Sequence, residues 1–465
     1  MRLPGMPSRD PQRAAGGSAT ADYGKTASFL AVGVGLTGAI TYVYFFIASH
    51  VLSKPDYGEI TVVWSAVFIT VSTLYRPVDQ LLSRHLSENL AKGEPVRGPT
   101  LVAVRIQLGL AAGFSLVTLL ARGPIQDGLL DGNETLYWVF FSAVLFYAAS
   151  YFARGYLAGF RRFGLFTAMI LSESVFRTLF AALVAVGLLS GQSAVAIGIV
   201  AAPSLSLLVV PAAFARKSRM APEERAESQK ASMSMRHGGG FAAAVLLIMF
   251  SEQVFLNAGP LILRGLEGTA AAGFIFNVLM IARAPLQLFQ AVSTSILPHL
   301  TTLHASEEAG SEDEFHRSVR MVLLAIGAFT AIVAISVLAA GPTLMQLAFS
   351  DNFSYDRAGL LLVTAGMGLY LSSVTLNQAC IAQGQVRRAS ARWIACAAAF
   401  IGWCLLPVIA EEFRRVEIGF AATAGLLLVL LYAIYRRPVE RPEDVPESGS
   451  SEELETRLAA IDEGT

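Results

Sequence analysis

Long apolar stretches separated by short polar turns run through most of the chain. Stretches of about 20 apolar residues have the length needed to cross a hydrocarbon core. They predict membrane helices at 26–49, 60–82, 101–121, 135–153, 166–189 and 194–214, and six more at 241–263, 272–297, 319–338, 359–382, 393–409 and 418–435. The expected fold is therefore an all-α integral membrane bundle of about twelve spans. A polar arm (1–25) precedes the first lobe (26–215), a polar linker (216–238) leads to the second (239–435), and an acidic tail (436–465) closes the chain. The arm lacks the apolar core of a cleaved signal peptide and reads, like the tail, as solvated and disordered.

The two sets of six resemble each other. The polar turn before the second span, Ser53-Lys-Pro-Asp-Tyr-Gly58, is echoed before the eighth, where Gly273 stands in the place of Gly58. Leu157-Ala-Gly-Phe-Arg-Arg162 is echoed by Ile381-Ala-Gln-Gly-Gln-Val-Arg-Arg388. Six is an even number, so both halves enter the membrane in the same sense. Such a parallel repeat is related by an axis along the membrane normal, and in transporters the substrate path runs between the halves.

Charge sets the orientation. With the N-terminus inside, the even-numbered connections hold Arg84, Lys92, Arg97, Arg154, Arg161, Arg162, Arg387, Arg388 and the basic linker, whereas the odd-numbered ones hold few cations, several of them beside acids. Lys and Arg concentrate in cytoplasmic loops, so both termini are expected in the cytoplasm of a multi-pass protein of the inner (plasma) membrane.

Composition narrows the function. Hydrophobic residues make up 54% of the chain and charged residues 15%, with a formal net charge of zero, which fits a membrane protein and offers no basic surface for nucleic acid. The three cysteines, Cys380, Cys396 and Cys404, fall in apolar runs and read as packing residues rather than a disulfide or metal set. No P-loop and no HExxH zinc pair is present. The connections are too short to fold a catalytic domain, so a transporter without cofactor or metal is expected rather than an enzyme.

Charges inside the spans are the candidate site, because each costs roughly 2.5 to 3.5 kcal/mol at a helix centre and needs a partner or a wet cavity. Arg177, Glu252 and Arg283 each sit eleven residues into their spans, near mid-membrane, with Glu173 somewhat nearer the cytoplasm. Glu173 and Arg177 are spaced i,i+4 and can pair on one helix. Glu252 and Arg283 lie equally far from the turn at Glu267–Gly268 and can pair across a hairpin. Either pair is structural, or its arginine attracts an anionic substrate while its glutamate couples a proton or cation. Arg76 with Asp79 is a structural pair or a further part of the cavity lining, and the amides Asn277 and Gln287 either hydrogen-bond helix to helix or line the cavity; Pro285 predicts a kink in the eighth span.

The turn Lys54-Pro-Asp-Tyr-Gly58, the run Arg84-His-Leu-Ser-Glu88 ending in Lys92-Gly93-Glu94, and the stretch from Leu344-Met-Gln-Leu-Ala-Phe-Ser-Asp351 through Ala382-Gln-Gly384 to Arg388 resemble the Wzx-type polysaccharide flippases. That superfamily also holds the multidrug MATE exporters and the lipid II flippases. The resemblance implies two six-helix lobes in a V around a cationic cavity, and alternating access that moves a polyprenyl-diphosphate-linked oligosaccharide to the outer leaflet. Its partners would be membrane lipids, that lipid-linked cargo and other polysaccharide-assembly proteins. Arg177 and Arg283 are the positions that depth and charge suggest for the diphosphate. A cation-coupled exporter of small amphiphiles is the alternative reading, and a membrane-embedded polymerase or ligase a further one.

Overall fold

The computed structural model describes residues 32–211, 235–283, 311–349 and 355–436, and every regular element in them is a helix. Ten of these are long and apolar enough to cross a membrane. The expected Gln287 and Pro285, most of the linker, and the two terminal segments lie outside the described residues.

The first lobe begins with α1 (Val32–Val51). It continues through α2 (Lys54–Leu74), α3 (Arg76–Lys92), α4 (Arg97–Leu120), α5 (Glu134–Gly159), α6 (Phe163–Ala185) and α7 (Gly191–Ser206). The second comprises α8 (Met235–Glu267), α9 (Thr269–Arg283), α10 (Ser311–Phe349), α11 (Arg357–Ala382), α12 (Val386–Leu405) and α13 (Glu412–Tyr435). Each expected span finds a helix. The second span runs through α2 and α3, with a local irregularity at Tyr75 (φ −107°) between them. Pro77 supplies no N–H and its ring crowds the preceding turn, which interrupts the ladder there. Local chemistry sets the other ends: Ser53 accepts from the Asp56 N–H to start α2, and Asn133 accepts from the Leu136 N–H to start α5. A short π-helical segment, Pro124–Leu129, fills the outer connection before α5.

The two lobes repeat in space as they do in sequence. The Leu157–Arg162 and Ile381–Arg388 echoes both become helix ends closed by a residue of positive φ, Arg161 at 53° and Gly384 at 75°. In each the following N–H reaches back five residues, Arg162 to the Leu157 carbonyl and Gln385 to that of Cys380, both at 2.8 Å. This is the closure of a Schellman motif. Within the lobes, α5 packs on α7 as α11 packs on α13. Between them, α2 packs on α8; reciprocally, α1 meets α9 through Phe45 against Phe276 (4.6 Å between ring centres) and a bond from the Tyr42 hydroxyl to the Met280 carbonyl (2.9 Å). Each lobe's first span thus meets the other's second, the pairing expected of an axis along the membrane normal.

The axis passes close to the two matched glycines. A Cβ on Gly58 would lie 1.8 Å from the Thr269 carbonyl oxygen, and one on Gly273 would lie 3.0 Å from the Gly58 Cα. Only backbones without side chains can cross that closely. Beside them the Tyr57 hydroxyl donates to the Asn277 side-chain oxygen, and at the outer surface Arg264 of α8 pairs with Asp131 of the first lobe. These contacts run from the outer surface to about mid-depth, since Met280 lies eleven residues, or about 16 Å, into α9. The inner half of the first lobe is different: α3 packs on α4 and α5 of its own lobe.

Candidate functional site

The expected charges are all on helices, but the structure pairs them differently. Glu173 does not bridge Arg177. It forms an ion pair with Arg154 of α5, and accepts from the hydroxyls of Ser150 and Ser206. Arg154, which sequence reading placed in a cytoplasmic connection, is held inside the lobe with its side chain 14% exposed. Arg177 is buried among aromatic groups: it donates to the Tyr147 hydroxyl (2.9 Å) and lies 4.6 Å from the centre of the Trp64 ring. The i,i+4 spacing favours a pair only where both side chains lie along the helix surface. Here α5 and α7 supply better geometry to the acid, and the indole face offers the arginine a cation–π contact.

Glu252 and Arg283 are likewise no salt bridge. The electrostatic partner of Glu252 is Arg76, which belongs to the other lobe and sits at the α2–α3 junction. Arg283 makes no direct ion pair with a described residue, and its Nε is buried without a hydrogen-bond partner. All three side chains are half-buried. Tyr370 of α11 shows that they share one region, since its hydroxyl stands in the fields of Glu252, Arg283 and Arg76 together. Tyr42, whose hydroxyl feels Arg283, adds α1 to the group. Two cations and one acid from both lobes therefore converge near mid-membrane. Asp79, one turn below Arg76, makes no direct bridge to it; its nearest strong field is that of Arg154, then Arg76.

Asn277 belongs elsewhere. It is fully buried at the lobe boundary, bonded to Tyr57, with its amide nitrogen unpartnered, so it fastens the lobes rather than lining a cavity. Tyr42, Tyr370 and Trp64 were missed by sequence reading, because an aromatic residue in a membrane span carries no sign of which face it occupies. Arg154 had a signal: it lies five residues before Gly159, within a helix that the sequence allows to continue that far. The three cysteines are free and buried, as expected. Among the described residues no cluster of three or more His, Cys, Asp or Glu side chains could hold a metal ion.

No family model and no curated protein sequence matches the chain. Solved structures do. A multidrug resistance MATE family transporter of the MOP superfamily, in an inward-facing conformation, superposes with a TM-score of 0.62 at 10% identity, covering 94% of this chain and 99% of that one. A eukaryotic MATE transporter gives 0.58 at 14% identity, covering 88% and 94%. A Vibrio cholerae MATE transporter gives 0.53 at 14% identity, covering 90% and 97%. At such identities the likeness is one of fold, and that fold is the two-lobe MATE bundle.

Proposed function

We propose that this MATE-fold membrane protein is an alternating-access exporter of amphiphiles with an anionic head, and that its cargo is a polyprenyl-diphosphate-linked oligosaccharide carried from the inner to the outer leaflet. One observation carries the reading: Arg76 and Arg283 stand with Glu252 where the lobes meet, and Arg283 makes no ion pair with a described residue. A half-buried guanidinium that no described carboxylate pairs is a standing attraction for a diphosphate, which it can bind in a bidentate manner. The lipid tail of such a cargo can stay in the bilayer while its head crosses between the lobes.

A second reading, a cation-coupled exporter of small amphiphiles, is favoured by the likeness to multidrug MATE structures. There Glu252 or Glu173 would be the coupling acid. The two separate in cells depleted of the protein. Complete lipid-linked oligosaccharide accumulating on the cytoplasmic leaflet is the expected result, and Arg283→Ala should reproduce it at normal membrane abundance. Unchanged lipid pools with raised sensitivity to cationic drugs would decide for the second reading.

A further inference from the structure

Below Arg76, α3 carries a polar face that the described residues leave largely unbonded. Asp79, Gln80, Ser83 and Ser87 recur at three- and four-residue steps, so they share one side of the helix. They line a cavity of about 380 Å³ whose opposite wall is formed by Phe163 and Phe166 at the start of α6. The Asp79 carboxylate, Gln80 amide and Ser83 hydroxyl make no side-chain hydrogen bond to a described residue. The Ser87 hydroxyl donates to the Gly159 carbonyl (3.1 Å) and keeps its lone pairs. The floor is rigid, because glycines bring α5 against the α3 backbone: a Cβ on Gly155 would lie 2.6 Å from the Asp79 carbonyl oxygen, and one on Gly159 3.1 Å from that of Ser83.

The chemistry of this groove differs from that of the site above it. A second phosphate would meet the Asp79 carboxylate, and the arginine at the rim, Arg84, is already paired with Glu88 at 2.7 Å. An acyl chain would bury the polar atoms unpaired, which is unfavourable. A saccharide satisfies both walls: its hydroxyls donate to a carboxylate, exchange hydrogen bonds with amide and hydroxyl groups, and its C–H faces pack on aromatic rings. From Arg76 to Ser87 is eleven residues, about 16 Å of helix, so the groove starts one turn from the central arginines and leads towards the cytoplasm. Resting on the function proposed above, we propose that this groove binds the sugar units of the cargo while Arg76 and Arg283 take its diphosphate.

The test is equilibrium binding to the full-length protein in lipid nanodiscs. Two probes are compared: lipid-linked oligosaccharide extracted from cells expressing the protein, and bare polyprenyl diphosphate. The wild type should bind the glycosylated probe more tightly. Gln80→Ala with Ser83→Ala, which removes two hydrogen-bonding groups, should weaken that probe about tenfold and leave the bare diphosphate unchanged, which also shows that the variant is folded. Equal affinity of the wild type for both probes, or equal losses on both in the variant, would overturn the sugar groove and leave the exporter standing. Binding of neither probe by the wild type would overturn both.

Discussion

Arg177 and Arg283 look equivalent in sequence, each an arginine eleven residues into a span, yet their surroundings differ. Arg177 is enclosed by Trp64, Phe68 and Tyr147 and is 4% exposed; Arg283 is half-buried at the lobe boundary, with an unpartnered nitrogen. Depth was legible, because it follows from counting residues along a span. Partnership was not, because neighbouring positions on a helix differ by about 100° around its axis, and a one-dimensional string does not say which direction faces protein. Trp64→Leu is therefore expected to act on stability. A desolvated cation–π contact contributes about 2 kcal/mol, so the variant should lose thermal stability in detergent by roughly that amount. Its transport per folded molecule should match the wild type. A transport defect at unchanged stability would instead move Arg177 into the cargo path.

At the scale of elements, polar side chains fix how the helices of the first lobe lie against one another. Glu173 of α6 gathers Arg154 and Ser150 of α5 and Ser206 of α7, and so ties three helices at one point. Removing one member of a buried pair leaves the other uncompensated, at a cost of about 3–5 kcal/mol, whereas replacing both by apolar residues is often nearly neutral. Arg154→Leu should thus lower the amount of folded protein recovered from membranes, and Arg154→Leu with Glu173→Leu should restore most of it. If the double variant folds but no longer transports, Glu173 has a role in coupling beyond this tie. The helices themselves were readable from apolar length, and the matched Leu157 and Ile381 turns from their residues. The irregularity at Tyr75 was also within reach, since Pro77 lies inside the run, and it stands beside Arg76.

For the whole molecule, the glycine match in the sequence proved to be a contact in space. The repeat showed that Gly58 and Gly273 were equivalent. It could not show that they touch, because a repeat fixes correspondence and leaves the position of the axis open. Their crossing, with Tyr57–Asn277 and Arg264–Asp131, closes the outer side. Gly58→Val puts a branched side chain where even a Cβ would meet the Thr269 carbonyl, and overpacking of this kind typically costs about 1–3 kcal/mol. The lobes should part there. A cysteine introduced by Asn277→Cys, which occupies a fully buried position, should resist a membrane-impermeant thiol reagent applied from outside. It should become reactive when combined with Gly58→Val. Resistance in both backgrounds would show that the crossing does not control access.

The helices that do least inside the protein are matched as well. Only 11% of the apolar window of α4 and 17% of that of α10 is buried, and these are the third spans of their respective lobes. Most of what surrounds them must be acyl chain, so the bilayer is their packing partner in the way that other helices are for α5 or α11. The consequence reaches the bench before it reaches the mechanism: a micelle of short-tailed detergent leaves these two helices poorly covered, and a belt of long chains or retained native lipid is part of what must be purified.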